Sequence, residues 1–528
     1  MTEQGKLAGP LSTSVANLCR RLQPQVGPRT AAGFAEVLRR LGAPLQVAVA
    51  GRIKSGKSTL VNALIGRQVA PTDIGECTRL VTRFQYGTVD RIEVVMADGT
   101  KQVLPFAADG AIPATLGMEL EKISHIEAYL TNAVLQDMTV IDTPGLGSLD
   151  AASVKRTEAL LGAGASRPED DAATEETEAD EQPESSELDH TSRDAVAGAE
   201  AVLYVVTQSV RADDAQVLAA FTAATASRDA GPVNAIAVLN KADTIAPESV
   251  PGADGDVWRA ASILAEKQAS TLKPRVADVL PVIGLLAESA ESGGFTSADA
   301  DALRTLAELD EDILETMLLS ADMFLSWECD VPSGIRTRLL ERLDLFGIRC
   351  GVEAIKAEPG ITAGALRRTI RDASGLEQVR ARLQTVFAVR ADGIKAAAAL
   401  ASITALSHAA NDPAERAKVH DAIEVLLAKP EAHQLRLLEA LTLVAAGAVD
   451  MPDDLTAEVL RVGSNADIRV QLGMPGAGRA ELTEHALERA GWWRSFASFG
   501  ATPAQSRVAH VIHRAYFLIW QQLREKQP

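Results

Sequence analysis

A chain of 528 residues is too long for a single hydrophobic core, and its net charge of −19 argues against a protein that works by gripping nucleic-acid backbones. Hydrophobic residues make up 47% but aromatics only 4%, so the interior must be built largely from Ala, Val and Leu, a mixture that favours helix. Cys19, Cys77, Cys329 and Cys350 are far apart with no CxxC pair, which fits a reducing interior better than a disulfide framework or a zinc site.

Residues 12–42 predict two helices broken by Pro24 and Pro28, the second ending at "GAP". "LQVAVA" (45–50) follows, short and apolar as a central parallel strand should be. Directly after it stands "GRIKSGKSTLVNALIG" (51–66), which matches GxxxxGK[ST] at every fixed position. Such a loop turns its backbone N–H groups inward on an anion, reinforced by the positive end of the following helix. Gly51, Lys54, Ser55, Gly56, Lys57, Ser58 and Thr59 are therefore the expected phosphate cradle. Lys57 would reach the β- and γ-phosphates and the Ser58 hydroxyl would ligate Mg²⁺.

"APTDIGECTRLVTRF" (70–84) offers Thr72, Thr78 and Thr82 as the threonine that closes on Mg²⁺; Thr78 is chosen because it precedes the next strand, the alternative being that all three are ordinary loop or strand residues. "RLVTRFQYG" and "RIEVVMADGT" predict two strands, the second turning as a hairpin at Ala97-Asp98-Gly99. "MTVIDTPG" (138–145) predicts a buried strand ending in Asp142-Thr143-Pro144-Gly145. Asp142 is placed to hold Mg²⁺ through water, and the Gly145 N–H to sense the γ-phosphate. Between Pro168 and Ser192 the chain carries eleven acidic residues and no Lys or Arg, and reads as a disordered loop.

Strands "AVLYVVTQ" (201–208), "NAIAVLN" (234–240) and "VLPVIG" (279–284) alternate with helix-like runs at 211–228 and 255–270, the pattern of a parallel sheet covered on both faces. Asn240-Lys241-Ala242-Asp243 fits the guanine-reading N/TKxD turn. Asp243 would accept two hydrogen bonds from the base, which adenine cannot offer, while Lys241 packs along the ring. Phosphate loop, strand-end aspartate and guanine turn, in that order, predict GTP as substrate, Mg²⁺ as cofactor and GDP as product.

Beyond about residue 300 only helices are expected. Ser374 and Glu377 have capping-box spacing, with Leu376, Val379, Leu383 and Val386 on one face. Val508, Val511, Ile512, Ala515, Ile519 and Leu523 line the last helix. In "GWWRSFASF" (491–499), Trp492, Phe496 and Phe499 have the spacing of a packed bundle face, the competing reading being a membrane-interface cluster. His510 and His513 lack further ligands for a metal site. The expected fold is an α/β P-loop GTPase domain, with a mostly parallel sheet and helices on both faces, plus an α-helical bundle. Its expected divisions are N-terminal helices 1–42 joining the bundle, a GTPase domain 43–300 with an acidic insertion 162–194, and a bundle 301–528. With no signal peptide and no apolar run of roughly 18 to 20 residues, the expected location is cytoplasmic.

"GRIKSGKSTLVNALIG", "APTDIGECTRLVTRF", "VIDTPG", "LNKADTI" and, further on, "LLERLDLFGIRCGVEAI" (339–355) resemble the dynamin-like GTPases, and within them the bacterial isoniazid-inducible group. The resemblance covers roughly residues 10 to 520. It implies a GTPase domain on a helical stalk, self-association through the GTPase domain, and action on membranes from the inner face of the cell membrane. Membrane lipid and a paralogous dynamin-like protein are the partners it suggests, and nucleic acid is not expected. A regulatory switch whose helical part binds a protein or ribosomal partner is the alternative. Where many small GTPases carry a water-orienting glutamine this chain has Leu146. The family looks instead to the fourth phosphate-loop position, a serine that helps hold a cation or an arginine finger, and here that position is Lys54. Either the Lys54 ammonium supplies this positive charge, or it is solvated or paired with an acid of a partner subunit.

Overall fold

The computed structural model describes residues 7–525 except 72–79, 145–198, 209–233, 273–275, 385–386, 388–389, 411, 446 and 466. Thr78, Gly145, Leu146, the acidic run and the 211–228 helix lie outside the described residues. Among the described residues nine strands form one sheet: β1 (Leu45–Gly51), β2 (Thr82–Tyr86), β3 (Arg91–Met96), β4 (Lys101–Leu104), β5 (Ile123–Leu130), β6 (Met138–Asp142), β7 (Ala201–Val206), β8 (Ala235–Asn240) and β9 (Val279–Val282), in the order β4-β3-β5-β2-β6-β1-β7-β8-β9. From β6 through β1, β7 and β8 to β9 every pairing is parallel. On the other side β2 runs antiparallel to β6, and β3 antiparallel to both β4 and β5.

The central strands are buried on both faces, which explains their unbroken apolar sequence. Val47, Val49, Leu203, Val205, Ile236 and Val238 point to one face, while Ala48, Ala50, Val202, Tyr204, Ala237 and Leu239 point to the other. The first face is covered by α3 (Lys57–Ile65) and shares a continuous core with α1 (Pro10–Leu22), α2 (Pro28–Gly42) and the C-terminal helices. The second is covered by α4 (Val257–Leu272), α6 (Ser297–Ala307) and α7 (Ser333–Ala357), with α5 (Gly284–Glu291) feeding both cores. The helices between 297 and 372 thus pack with the sheet.

After α8 (Leu376–Leu383) the chain enters the bundle at α9 (Ala391–His408), whose first turn fastens both N-terminal helices. Asp392 accepts the Leu11 and Ser12 N–H groups at 3.0 and 2.8 Å, capping α1, which has no side-chain cap of its own. Buried Lys395 donates to the carbonyls of Arg40 and Ala43 at the far end of α2 and lies 3.8 Å from buried Glu200, just before β7. No described helix is long and apolar enough to cross a membrane.

Three expectations are corrected. The β5 strand was not anticipated; its pairing with β3 shifts register between Val95 and Met96, which interrupts the alternation between Ile123 and Ile126 and leaves only Ile126, Ala128 and Leu130 in step. Ser374 is not the N-cap residue of α8, although its Oγ accepts the Leu376 N–H at 3.2 Å. Gly375, at φ 76°, stands before that helix because a Cβ there would lie 2.8 Å from Trp258 and 2.9 Å from the Pro281 carbonyl. The helix α10 (Arg479–Phe499), paired with α11 (Pro503–Glu525), turns a different aromatic inward. Trp493 is the buried ring, whereas Trp492 is 39% and Phe499 92% exposed. Trp493 Nε1 donates to buried Glu458 at 2.8 Å, and Tyr516 and Arg489 donate to the same carboxylate. Arg489 also covers the Trp492 ring, which stacks on Phe496.

Trp493→Ala should therefore destabilise the bundle by about 3–5 kcal/mol, through lost volume and an under-satisfied buried carboxylate, while Trp492→Ala changes it by less than about 1 kcal/mol. Urea unfolding followed by circular dichroism checks the ranking, and equal effects would contradict this packing.

Candidate functional site

The site is assembled along the carboxyl ends of β1, β6, β8 and β9, the edge at which open α/β sheets hold ligands. Gly51 ends β1 where a Cβ would lie 2.5 Å from the Val205 carbonyl, so the loop can leave the sheet only with glycine there. Gly56, at φ 88°, is the N-cap of α3, and a Cβ on it would meet Asn240 Nδ2 at 2.3 Å. Between them Lys54 takes φ 62° and is exposed, with no hydrogen bond or ion pair among the described residues. Ser55 is buried and its Oγ has no hydrogen-bond partner among them. Lys57 is buried and donates from Nζ to the Arg52 carbonyl at 2.9 Å.

Ser58 Oγ donates to Asp142 Oδ2 at 2.9 Å, joining the start of α3 to the end of β6. Thr143 Oγ1 donates to the Val49 carbonyl at 2.9 Å and secures that strand end against β1. Burial pushes the Asp142 carboxyl up to about 6, with the Lys57 ammonium and the Ser58 bond pulling it down. Burial likewise lowers the Lys57 ammonium, and Asp142 opposes that shift. Asp142 Oδ1 is buried with no hydrogen-bond partner among the described residues. An orphaned carboxylate oxygen beside a serine hydroxyl is the hard-oxygen donor set that suits Mg²⁺, so the residues fit the ion.

The guanine-turn residues begin 2.8 Å from the phosphate loop. Asn240 Nδ2 donates to the Ser55 carbonyl at 2.8 Å, and Asn240 Oδ1 accepts the Gly284 N–H at 2.9 Å. Lys241, at φ 60°, turns the chain so that Ala242 to Thr244 form a short helical turn. That turn is held by Gln208, whose Nε2 donates to the Thr244 carbonyl at 2.6 Å. Asp243 is half-buried and pushed up to about 6, first by burial and then by the like charge of Asp344. Asp344 itself sits at φ 51°, ψ 179°, a break inside α7.

Lys57, Ser58, Asp142, Asn240 and the Lys241–Asp243 turn are thus neighbours in one cleft. Thr59 lies in the first turn of α3, half-buried. Gly284 went unrecognised in the sequence. Its signal is a glycine that follows an apolar strand and opens a helix, "VIGLL", and a Cβ there would lie 2.9 Å from Asn240 Oδ1.

A sheet of this order, with a phosphate loop, a strand-end aspartate and an NKxD turn on one edge, defines a P-loop GTPase fold. The dynamin family model matches residues 47–242. The isoniazid-induced protein IniC of Mycobacterium tuberculosis is 30% identical over 467 residues, 86% of this chain and 85% of that protein. A bacterial dynamin-like protein of Nostoc punctiforme is 30% identical over 127 residues, 22% of this chain and 18% of its own. A solved structure described as an oligomerised bacterial dynamin pair, providing a mechanism for long-range sensing and tethering of membranes, aligns over 98% of this chain and 75% of that chain. Its sequence identity is 11% and its TM-score 0.33, too low for its domain arrangement to be carried over. The chain belongs to the dynamin-like GTPases, in the bacterial isoniazid-inducible group.

Asp142 also generates a pH prediction. Its folded value of about 6 lies above the ordinary 3.8, so the fold binds the proton more tightly than the unfolded chain. The resulting stability is fully present below 3.8 and lost as pH rises through about 6. Asp142→Asn should remove that decline, leaving the nucleotide-free variant more stable than wild type by roughly 2–3 kcal/mol at neutral pH. Thermal midpoints of both proteins across about pH 4 to 7 test this, and parallel curves would contradict it.

Proposed function

We propose that the chain binds GTP with Mg²⁺ and hydrolyses it to GDP and phosphate, coupling turnover to self-association and to membrane remodelling or maintenance. The observation that carries the nucleotide reading is the Asn240 side chain, which ties the phosphate loop to the base-reading turn at 2.8 Å and leaves the two recognition elements no independent freedom. In this reading the amides from Gly51 to Thr59 cradle the phosphates. Lys57 releases the Arg52 carbonyl and neutralises the β- and γ-oxygens. Ser58 and Asp142, with Thr78, hold Mg²⁺, which supplies charge neutralisation on the phosphates when bound. The Gly145 N–H contacts the γ-phosphate.

Asp243 accepts from N1–H and the exocyclic amine of guanine, and Lys241 packs along the ring. Bound guanine would bring the Asp243 carboxyl down from about 6 by donating to its charged form. Lys54 is exposed on a left-handed backbone in the loop, and in this reading its ammonium stabilises the negative charge that develops on the leaving oxygens. Self-association and membrane action rest on family membership.

Asp243→Asn should lower the preference for GTP over ATP on the order of 10⁴-fold, measured by competition between labelled nucleotides. An unchanged preference would remove the guanine assignment. Lys54→Ala should lower turnover by up to roughly 10³-fold at unaltered GTP affinity, and unaltered turnover would end its catalytic role. Co-sedimentation with anionic liposomes, accompanied by faster hydrolysis, supports membrane action; absence of binding in every nucleotide state favours a switch acting on a protein partner instead.

A further inference from the structure

The two helices that begin at the nucleotide cleft are cross-linked one turn further down. On α3, Asn62 stands four residues after Ser58; on α5, Glu288 stands four residues after Gly284. Asn62 Nδ2 donates to Glu288 Oε1 at 2.7 Å and to the Ala70 carbonyl at 2.9 Å. Its Oδ1 accepts the N–H groups of Val69 and Ala70 at 3.0 and 2.7 Å. Two donors and two acceptances saturate the amide, so its plane is fixed. Both residues are buried, Asn62 at 1% and Glu288 at 6% exposure.

We propose that Glu288 is a positioning residue of the nucleotide site: acting through Asn62, it locks α3 to α5 and fixes the backbone at 69–70 that leaves the phosphate-loop helix. The proposal rests on the reading of this cleft as a GTPase site. Among the described residues no charged partner explains Glu288. Burial pushes its carboxyl up to about 7, and only the Asn62 bond pulls it down. Of the charged side chains on the helices packed against α5, Arg342 of α7 is engaged with Asp299 and Arg371 lies 3.9 Å from Glu291. A core position needing only volume would be served better by leucine, since a buried acid without a cation is costly. What leucine cannot do is accept from Asn62. Without that acceptor one Asn62 N–H is stranded in the core and the tie between α3 and α5 is lost, which weakens the hold of the amide on Val69 and Ala70. The anchored backbone follows the end of α3, the helix whose first turn carries Lys57 and Ser58, so its loss acts on the phosphate end of the site rather than on base recognition.

Glu288→Leu and Glu288→Gln separate these roles. Leucine fills the space and removes a buried acid, so the variant should fold, as circular dichroism and thermal melting check. Its single-turnover GTP hydrolysis should fall about tenfold or more, while the GTP dissociation constant stays within about threefold. Glutamine keeps the acceptor and should restore turnover to within about twofold of wild type. In the nucleotide-free proteins, the amide hydrogens of Val69 and Ala70 should exchange about tenfold faster in the leucine variant only. Wild-type turnover in Glu288→Leu, failure of Glu288→Gln to rescue, or unchanged exchange at 69–70 would each overturn the proposal. If wild type binds no GTP, the functional reading fails, and the exchange measurement still decides whether Glu288 holds this backbone.

Discussion

The side chain of Asn240 is the constraint on which the site depends. One amide, 2% exposed, spans the Ser55 carbonyl on the phosphate loop and the Gly284 N–H at the head of α5. Because neither group can turn to water, breaking either bond would strand a buried polar atom. The two glycines that flank it, Gly56 and Gly284, have no room for a side chain because the amide occupies that space. Sequence features far apart in the chain, a glycine in the phosphate loop, an asparagine at the end of β8 and a glycine after β9, thus answer to a single contact.

Electrostatics follow from the same geometry. Carboxylates at Asp142 and Asp243 are held in positions where burial disfavours their charge. Neither has an ion pair among the described residues, in contrast to fully buried Asp299, which, against the upward push of burial, the Thr296 hydrogen bonds and then Arg342 and Arg338 hold below its ordinary range. The contrast separates structural acids from poised ones. A carboxylate that the fold leaves short of positive charge or hydrogen-bond donors is one that a cation or a donor-bearing base can stabilise.

Much of this was legible in the sequence because it depends on local backbone chemistry. A phosphate loop needs its glycines at fixed spacing, and buried parallel strands such as β7 and β8 must read as unbroken apolar runs. What escaped depends on contacts between distant segments. The β5 strand hides behind a register shift. Helical periodicity placed Trp492 inward, but a helix with aromatics on adjacent positions offers two candidate faces, and the Glu458 carboxylate on a separate helix decides for Trp493. Ser374 and Glu377 had capping spacing, yet the close approach of Trp258 and Pro281 made Gly375 the residue that enters α8. Asn62 and Glu288 carry no motif together, being 226 positions apart.

The far ends of α3 and α5 are tied to the helices beyond the site. Arg380 of α8 donates from Nη2 to the Ala63 carbonyl near the end of α3 and to Glu291 at the end of α5, at 3.1 and 3.0 Å. A cation at two helix C-termini complements both dipoles. Nearby, the Ser374 carbonyl accepts the Ile283 N–H at 2.9 Å, next to the Gly284 that Asn240 holds. Residues 374–380, the entry to α8 and its first turns, are therefore attached at both ends of α5. Any displacement of α8 must either pull α5 with it, and so disturb Gly284 and Asn240, or break the Arg380 contacts. Short, doubly held helices of this kind are suited to pass strain between a ligand cleft and a distant bundle, because they have few internal degrees of freedom in which to dissipate it.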